Sequence, residues 1–374
     1  MTWISSGVVL SRLALVLLVV AFAAPAAMAE QITVTDLAGR TVSVQLPAKR
    51  IVLAEARQLV SLSLIDRDVA RRIVGTAGTR LFDPEARKAY EATFAGFAAA
   101  PKLDDDASNL SAEKTIAVEP DLVILSGNIG LDPRSQALAD TLTAAGIPAI
   151  FIDFRADPYE NTVPSVELLG KVLGKEAEAR AFLDFYLEHR SRIVERVAGI
   201  SDRPTVFMEM QANSREQCCM SPSRANLGRF IVEAGGINIG EAVVPGAFGP
   251  LSPEYLLAQD PDIYIGTGGR HLASSGGIVV GPGISEEEAL SALKTVVARP
   301  IISELSAVHK GDAHGLWHNF HNSPLNIVAL EVLATWFHPN VFADVDPRAT
   351  VDEINRRFLP VPFEGAAWIS LAKD

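Results

Sequence analysis

The sequence predicts an α/β protein of two similar lobes joined by one long helix, with a ligand cleft between the lobes. The first observation is an internal repeat: residues 110–124 (LSAEKTIAVEPDLVI) recur as 251–265 (LSPEYLLAQDPDIYI), with seven of fifteen residues identical. The second is an alternation of helical and strand patterns on both sides of a long amphipathic stretch. Each repeat copy is typical of a Ser-capped helix, a Pro-Asp turn and an apolar strand. A unit repeated once at domain-length spacing indicates two lobes, and clefts between lobes bind small ligands.

The remaining elements follow in chain order. Alternating residues over 32–46 predict a β-hairpin with its turn at Ala38-Gly39-Arg40, and 50–54 has the pattern of a short buried strand. Apolar residues at helical spacing over 159–198 predict one long helix of some 30 residues, about 45 Å long, with Gly170 and Gly174 as the positions where it would bend. Residues 347–358 predict a last helix before a Pro-rich tail. The predicted divisions are 1–29, 30–158 (first lobe), 159–198 (linking helix), 199–346 (second lobe) and 347–374 (helix and tail).

The start of the chain has the pattern of a secretory signal. Residues 8–24 are almost wholly apolar with Arg12 as their charge, and Ala27-Met28-Ala29 supplies a small-x-small cleavage pattern. A retained membrane anchor is the alternative, but the apolar run is short and ends in small residues. No Cys lies at the cleavage point for lipid attachment. We therefore expect an exported, soluble periplasmic protein that begins near Glu30.

The charge balance argues against two classes of partner. The formal net charge of the 374 residues is −12, with 33 Lys and Arg against 45 Asp and Glu. Removing residues 1–29 would take away one Arg and make it −13. An acidic chain disfavours nucleic acid and anionic membranes as partners. A local cluster of arginines would still bind an anionic small molecule.

Two further segments, together with the repeat, carry a resemblance to a known family. They are DLAGRTVSVQLPAKRIV at 36–52, the two LSxE…PD copies, and FIVEAGGINIG at 230–240. In this order and behind a signal pattern, they resemble the substrate-binding proteins of ABC importers for ferric siderophores, haem and cobalamin, over nearly the whole mature chain. The resemblance implies two α/β lobes joined by one long helix, little movement on binding, and delivery of the ligand to a membrane permease.

The resemblance gives the repeat a function. In that family one Glu on each lobe docks onto Arg pockets of the paired permease subunits, and the matching residues here are Glu113 and Glu254. Two carboxylates on equivalent surfaces suit a pseudo-symmetric partner, because charge-assisted pairs with Arg fix orientation. A structural alternative is that each Glu only favours the first turn of its helix through the helix dipole.

Candidate ligand residues follow from the rule that α/β lobes bind ligands at the carboxyl ends of their strands. The rule selects loops carrying Glu55, Arg57, Arg80, Gly127-Asn128 and Phe154-Arg155 in the first lobe, and 211–224, 266–271 and 317–322 in the second. Several of these loops carry an arginine. Arginine is a candidate ligand residue because it binds carboxylate and catecholate oxygens through bidentate hydrogen bonds. The candidates are Arg57, Arg80, Arg155 and Arg270, with Arg215 and Arg224 on a further loop. Arg57, Arg80 and Arg270 rank first, and for at least half of the set a solvated surface role is the alternative.

Cys218 and Cys219 are the chain's two cysteines and are adjacent. In an oxidising compartment each has the other as its intrachain partner, which favours a vicinal disulfide. Such a bond departs from the usual Cα separation. We expect it to form a rigid patch at the cleft edge; two reduced thiols, packed or metal-binding, are the alternative.

The segment 314–321 holds three of the seven histidines: His314, His318 and His321. The i,i+4 spacing of the first two would suit a metal site, with Glu209 or Asp312 completing it. Gly315 and the interleaved aromatics favour a loop instead. The preferred hypothesis is a wall of Trp317, His318, Phe320 and His321 against a bulky chelate.

Motifs for catalysis are missing from the sequence. There is no GxSxG elbow and no HExxH, and GTGGRH at 266–271 lacks the Lys-Ser/Thr ending of a phosphate loop. A secreted metalloenzyme using the histidines is the rival from another class. The expected function is capture of an Fe(III) chelate, most simply a ferric siderophore, by a monomer without a cofactor. Haem or cobalamin on the same scaffold, marked by a Tyr or His axial ligand, and direct metal binding are the alternatives.

Overall fold

The computed structural model describes residues 1–3, 30–126, 133–214 and 218–372, and its fold is α/β, as the sequence predicts. The predicted secretory signal lies almost wholly outside the described residues. Within them, no helix is long and apolar enough to cross a membrane.

The first lobe is built on a four-stranded sheet whose neighbouring strands are all parallel. A hairpin precedes it, pairing Glu30 with Leu46 and Thr35 with Thr41, which confirms the prediction for this segment. The strands are β1 (Glu30–Thr35), β2 (Thr41–Leu46), β3 (Ile51–Leu53), β4 (Ile73–Thr76), β5 (Leu122–Leu125) and β6 (Ala149–Phe151). The sheet order is β4-β3-β5-β6. The helices are α1 (Gln58–Ser63), α2 (Pro84–Thr93), α3 (Ala95–Ala99), α4 (Ala112–Ala117) and α5 (Pro133–Ala144).

Two helices connect the lobes, α6 (Pro158–Leu173) and α7 (Glu176–Val197). The prediction of one long helix over 159–198 is wrong, because Gly174 adopts a left-handed conformation (φ 65°) that ends α6. The helices pack closely at the junction: a Cβ on Gly170 would lie 2.6 Å from the Cβ of Ala179. The second helix, α7, has 22 residues and is about 33 Å long.

The second lobe is built on a five-stranded sheet of order β13-β12-β11-β7-β9, parallel except at β13. Its strands are β7 (Thr205–Glu209), β8 (Met220–Pro222), β9 (Ile237–Asn238), β10 (Phe248–Pro250), β11 (Ile263–Gly268), β12 (Ala313–Trp317) and β13 (Trp368–Ser370), with β8 and β10 forming a separate pair. Its helices are α8 (Leu227–Glu233), α9 (Pro253–Gln259), α10 (Glu286–Val297), α11 (Ser306–His309), α12 (Asn326–Phe337) and α13 (Pro347–Arg357). The predicted C-terminal helix is confirmed as α13, whereas the predicted tail contributes β13 to the sheet.

The sequence repeat is also a structural repeat. Ser111 accepts a hydrogen bond from the Lys114 N–H (3.3 Å) at the start of α4, and Ser252 accepts one from the Tyr255 N–H (3.1 Å) at the start of α9. Each helix leads into a buried interior strand of its sheet, β5 or β11. The predicted Ser caps and following strands are therefore confirmed in both lobes.

The aspartate of each Pro-Asp turn fixes the start of a neighbouring strand. Asp121 accepts from the backbone N–H groups of Lys49 (2.8 Å) and Arg50 (2.8 Å), just before β3. Asp262 accepts from the Thr205 N–H (2.8 Å) at the start of β7. The two Asp residues thus satisfy strand-end donors that the sheets leave open, which explains why the repeat retains this dipeptide.

Candidate functional site

A cleft between the lobes lies at the carboxyl ends of the strands, with a volume of about 420 Å³. Its first-lobe walls are the loops after β3, β4 and β6, and its second-lobe walls are the loops after β7, β11 and β12. The lining carries four arginines against a single aspartate, together with three histidines and the amides of Gln and Asn. This volume is within the range of small-molecule sites, so the cleft is the candidate binding site.

Arg57 holds the centre of the first-lobe wall. Its Nε donates to Glu55 Oε2 (2.8 Å), and its Nη1 donates across the cleft to Asn319 Oδ1 (3.2 Å). Both members of the Arg57–Glu55 pair are buried. The Glu55 carboxylate therefore neutralises the Arg57 guanidinium, and this guanidinium also bridges the two lobes through Asn319.

Arg155 differs from the other cleft arginines in having no carboxylate partner among the described residues. Its backbone is fixed, because Asp153 Oδ1 accepts from the N–H groups of Arg155 (2.8 Å) and Ala156 (2.7 Å). The Asn226 Nδ2 of the second lobe donates to its carbonyl (2.8 Å). Burial, and then the positive charge of Arg57, lower the pKa of Arg155, while Glu55 and Asp153 act in the opposite direction. A half-buried guanidinium without a direct ion pair on an anchored loop is suited to an anionic ligand.

The other two predicted arginines also line the cleft but have other partners. Arg80 is exposed at the rim, 3.9 Å from Asp105. Arg270 forms ion pairs with Glu288 of its own lobe and with Glu85 of α2 in the first lobe (3.3 Å). Two carboxylates therefore compensate Arg270, and one of these pairs joins the lobes. The ranking of Arg270 above Arg155 is not supported by this charge pattern.

Asp83 is a cleft residue that sequence reasoning missed. It is buried in the loop after β4 and accepts hydrogen bonds from second-lobe Asn319 Nδ2 (2.9 Å) and Trp317 Nε1 (3.4 Å). Burial raises the pKa of its carboxyl, and these two hydrogen bonds oppose that rise. In the sequence, Asp83 before Pro84 has the pattern of a helix N-cap. Its side chain makes no cap hydrogen bond and instead contacts the opposite lobe.

The cleft histidines His318 and His321 are buried and neutral. The His318 Nε2 lies 3.2 Å from Gln211 Nε2, and its Nδ1 lies 3.0 Å from Thr267 Oγ1. Burial, with nearby His271 and Arg57, lowers the pKa of His318 to about 3. His321 Nδ1 donates to the His318 carbonyl, its Nε2 is 2.8 Å from Asn322 Nδ2, and burial holds its pKa well below the usual value. Both nitrogens of each ring are thus engaged in hydrogen bonds.

His314 does not join these two residues. It lies within β12, with Nδ1 2.8 Å from Ser370 Oγ and its ring stacked on Trp336 at 4.2 Å, and it does not line the cleft. Across the described ranges, no group of three or more His, Cys, Asp or Glu is arranged to hold a metal ion. The alternative of a metal centre at His314, His318 and His321 therefore lacks the required convergence.

Of the predicted wall, His318 and His321 line the cleft, whereas Trp317 and Phe320 do not. Trp317 and Phe320 are buried, pack on each other (5.2 Å between ring centroids), and both contact Phe363 from the C-terminal segment. Apolar lining comes instead from Leu81, Phe82 and Pro84, in the loop that also carries Arg80 and Asp83.

The adjacent cysteines form the predicted vicinal disulfide. Cys219 is buried and its carbonyl accepts from the Leu251 N–H (3.0 Å). Neither cysteine lines the cleft cavity, so the expected position as a patch at the cleft edge is not found there. Arg224 pairs with Glu241 and does not line the cleft either. Arg215 and Gly127-Asn128 lie outside the described residues.

The sequence profile of the periplasmic binding protein family matches residues 51–314. The chain belongs to this family. Binding proteins of this family deliver small-molecule ligands to ABC permeases. None of the curated protein sequences matches the chain.

Solved structures of periplasmic binding proteins share the fold. The TroA-like periplasmic binding protein FepB from Veillonella parvula is 28% identical, with a TM-score of 0.82 over 91% of this chain and 100% of its own. The molybdate-binding MolA of Haemophilus influenzae is 15% identical (TM-score 0.68; 89% and 99% covered). An ABC-type Fe3+-hydroxamate transport protein from Saccharomonospora viridis is 21% identical (TM-score 0.58; 82% and 99%). The last two similarities show the fold alone, and their ligands differ.

The two glutamates of the repeat have equivalent positions in this periplasmic binding protein. Glu113 lies in the first turn of α4 and Glu254 in the first turn of α9, and both are exposed. Neither makes an ion pair with any residue in the described part of the chain. Both carboxylates are therefore available to a partner molecule.

Proposed function

We propose that this periplasmic binding protein captures an iron chelate, namely a ferric siderophore, and delivers it to an ABC permease. The observation that supports this best is the inter-lobe cleft itself, which collects four arginines against one aspartate in a chain of formal charge −12. Siderophore complexes present carboxylate, catecholate or hydroxamate oxygens, and Arg binds such oxygens through bidentate, charge-assisted hydrogen bonds.

Within the cleft, Arg155 is the main anchor for the ligand's negative charge, because no described carboxylate lies within ion-pair distance of it and Glu55 and Asp153 offset the burial of its charge only in part. Arg57 adds a second guanidinium whose charge Glu55 already shares. Arg80 at the rim attracts the ligand, although solvent screens its charge. Leu81, Phe82 and Pro84 supply the apolar contact that was first expected from Trp317 and Phe320.

Haem or cobalamin on the same scaffold is less favoured by the geometry. The described cleft lining contains no Tyr, and its buried His318 and His321 both have their ring nitrogens in hydrogen bonds. An axial His ligand would require breaking one of these hydrogen bonds in a buried setting, which costs about 1–3 kcal/mol. These ligands, and bare metal ions, are therefore alternative outcomes of the binding experiment.

The partner follows from the family. We propose that Glu113 and Glu254 dock onto arginines of a permease dimer, one lobe on each subunit. Their equivalent, exposed positions in the first turns of α4 and α9 support this assignment. We also propose that residues 1–29 direct export, so that the mature protein acts in the periplasm as a monomer without a cofactor.

Tryptophan-fluorescence titration of residues 30–374 tests which ligand the protein binds. The panel contains ferric hydroxamate, catecholate and citrate-type chelates, haem, cobalamin, molybdate and bare divalent metals. Submicromolar quenching by one class of ferric chelate is expected. Tight binding of haem, cobalamin or bare metal alone would contradict the proposal.

A further inference from the structure

The repeated helices α4 and α9 expose an aliphatic side chain as well as a glutamate. Ile116 in α4 is 37% exposed and Leu257 in α9 is 38% exposed. They occupy the same position of the repeat, three residues after Glu113 and Glu254 respectively. Residues three apart lie on the same face of a helix, so each helix presents one acidic and one aliphatic side chain together.

Two neighbouring positions in each helix contact the lobe beneath it. Thr115 and Leu256, at the position between the Glu and aliphatic residues, are both buried. The residue after each Glu is fixed against its own lobe: Lys114 Nζ donates to the Leu103 carbonyl (3.1 Å), and Tyr255 Oη donates to the Ile239 carbonyl (3.0 Å). The acid–aliphatic pair is thus exposed in both lobes, beside the exposed Lys114 and Ala117 in α4 and Ala258 and Gln259 in α9.

Both pairs lie on the side of the molecule where the cleft loops emerge. Leu103, which Lys114 contacts, bonds through its N–H to Thr76 at the carboxyl end of β4 (2.8 Å). On the other lobe, Leu251 bonds to Cys219 (3.0 Å), and the adjacent Met220 carbonyl accepts from Met210, directly after β7 (2.8 Å). The first turns of α4 and α9 therefore flank the carboxyl edges of the two sheets, the same edges that carry the cleft.

We propose that Glu113 with Ile116, and Glu254 with Leu257, form two equivalent docking patches for one partner: a dimeric membrane protein that offers each lobe a cationic group beside an apolar recess. This inference rests on the proposed docking of the two glutamates and adds the aliphatic half of each patch. Exposed aliphatics are ordinary when scattered singly. Here, however, Ile116 and Leu257 are exposed to the same extent at equivalent positions, each beside a glutamate that makes no ion pair. A partner with two-fold symmetry, which contacts both lobes in the same way, explains this pattern.

The glutamate and the aliphatic side chain of each patch should contribute differently to docking. Exposed carboxylates steer association and fix orientation, but surface ion pairs contribute little to affinity. Removal of an aliphatic side chain from water at the centre of a patch supplies the non-directional part of the binding free energy. A salt-resistant component of docking should therefore depend on Ile116 and Leu257.

Displacement from membranes tests the patches. Labelled parent protein is bound to right-side-out inner-membrane vesicles of the source organism and displaced by unlabelled variants. Ile116→Asp and Leu257→Asp should each raise the half-displacing concentration by a similar factor of at least 3, and together by at least 10. The control is Leu187→Asp with Val341→Asp, whose side chains are equally exposed (41% and 42%) but lie outside the repeat; it should stay within twofold of the parent.

The outcomes are decisive in each direction. Displacement by the Ile116/Leu257 variant at the parent's concentration, an equal loss in the control, or no saturable binding of the parent to the vesicles would overturn the inference. Equal binding to protein-free anionic lipid vesicles would also overturn it, since the partner would then be a lipid surface. Thermal unfolding and chelate titration of the same variants confirm an intact fold and cleft. If the parent docks but no ferric chelate binds, the proposed ligand fails and the docking patches stand.

Discussion

Replacing Arg155 with Gln separates ligand binding from stability, because this guanidinium contributes to the two with opposite signs. Among the described residues it has no carboxylate partner, and both burial and Arg57 disfavour its charge. A ligand oxygen that pairs with it gains a charge-assisted hydrogen bond of ~1.5–3 kcal/mol. Since 1.4 kcal/mol corresponds to tenfold, Arg155→Gln should weaken chelate binding about 10- to 150-fold. Thermal stability without ligand should be unchanged or higher, because burial and repulsion from Arg57 outweigh the attraction of Glu55 and Asp153 for this half-buried guanidinium.

Arg270→Gln is the matched control, since Arg270 lines the same cleft but is compensated by Glu85 and Glu288. It should lower the unfolding temperature, because two carboxylates lose their partner at the lobe interface, and change affinity less than threefold. Isothermal titration with the chelate and thermal unfolding without it measure both quantities. If Arg155→Gln binds within twofold of the parent while Arg270→Gln loses tenfold or more, the assignment of the anionic anchor is refuted.

Three further predictions concern stability and pH. Asp83→Asn should destabilise the protein by about 1–3 kcal/mol in denaturant unfolding, because an amide turns donors toward the donors of Asn319 or Trp317; an unchanged midpoint would show that these inter-lobe bonds carry no stability. Below pH 6.5 the unfolded chain protonates His318 while the folded one, with its pKa at about 3, does not. The free energy of unfolding should therefore fall by about 1.4 kcal/mol for each unit that the pH drops below this point, from this group alone, and His318→Gln should remove that slope. Chelate affinity should carry no titration of His318 or His321 between pH 5 and 8. Gly240→Ala should cost about 1–3 kcal/mol, since its Cβ would lie 2.3 Å from Ser221 Oγ and 2.7 Å from the Pro222 carbonyl; parent-like unfolding would mean that this turn yields easily.

Local signals explain what the sequence could predict of the fold. Ser111 and Ser252 cap their helices through bonds that span three residues, and the hairpin around Gly39 forms between neighbouring strands, so a short window contains the whole cause. The break at Gly174 was weaker in the sequence, because a glycine inside an apolar helical pattern is compatible with a bend or with a stop. Its left-handed conformation depends on how α7 folds back onto α6.

Contacts between the lobes limit how much of the site the sequence predicts. The four cleft arginines were predictable because loops after parallel strands converge at one edge of a sheet. Their ion-pair partners were not predictable, because Glu85 contacts Arg270 from the opposite lobe. In the same way, the orientation of Trp317 depends on Phe363 far along the chain, and that of Asp83 on the second lobe. Contacts between distant segments leave no pattern in a local window.

The arginine-bearing cleft should bind a ferric chelate, and fluorescence titration with the ligand panel measures this binding. Trp317 Nε1 is hydrogen-bonded to Asp83 at the cleft wall, so its emission should respond when the cleft is filled. We expect saturable, submicromolar quenching by one ferric chelate class, and a smaller fluorescence change in Trp317→Phe with affinity retained. Parent protein that binds only haem, cobalamin or a bare metal ion, and no ferric chelate, would show that the cleft is not a ferric chelate site.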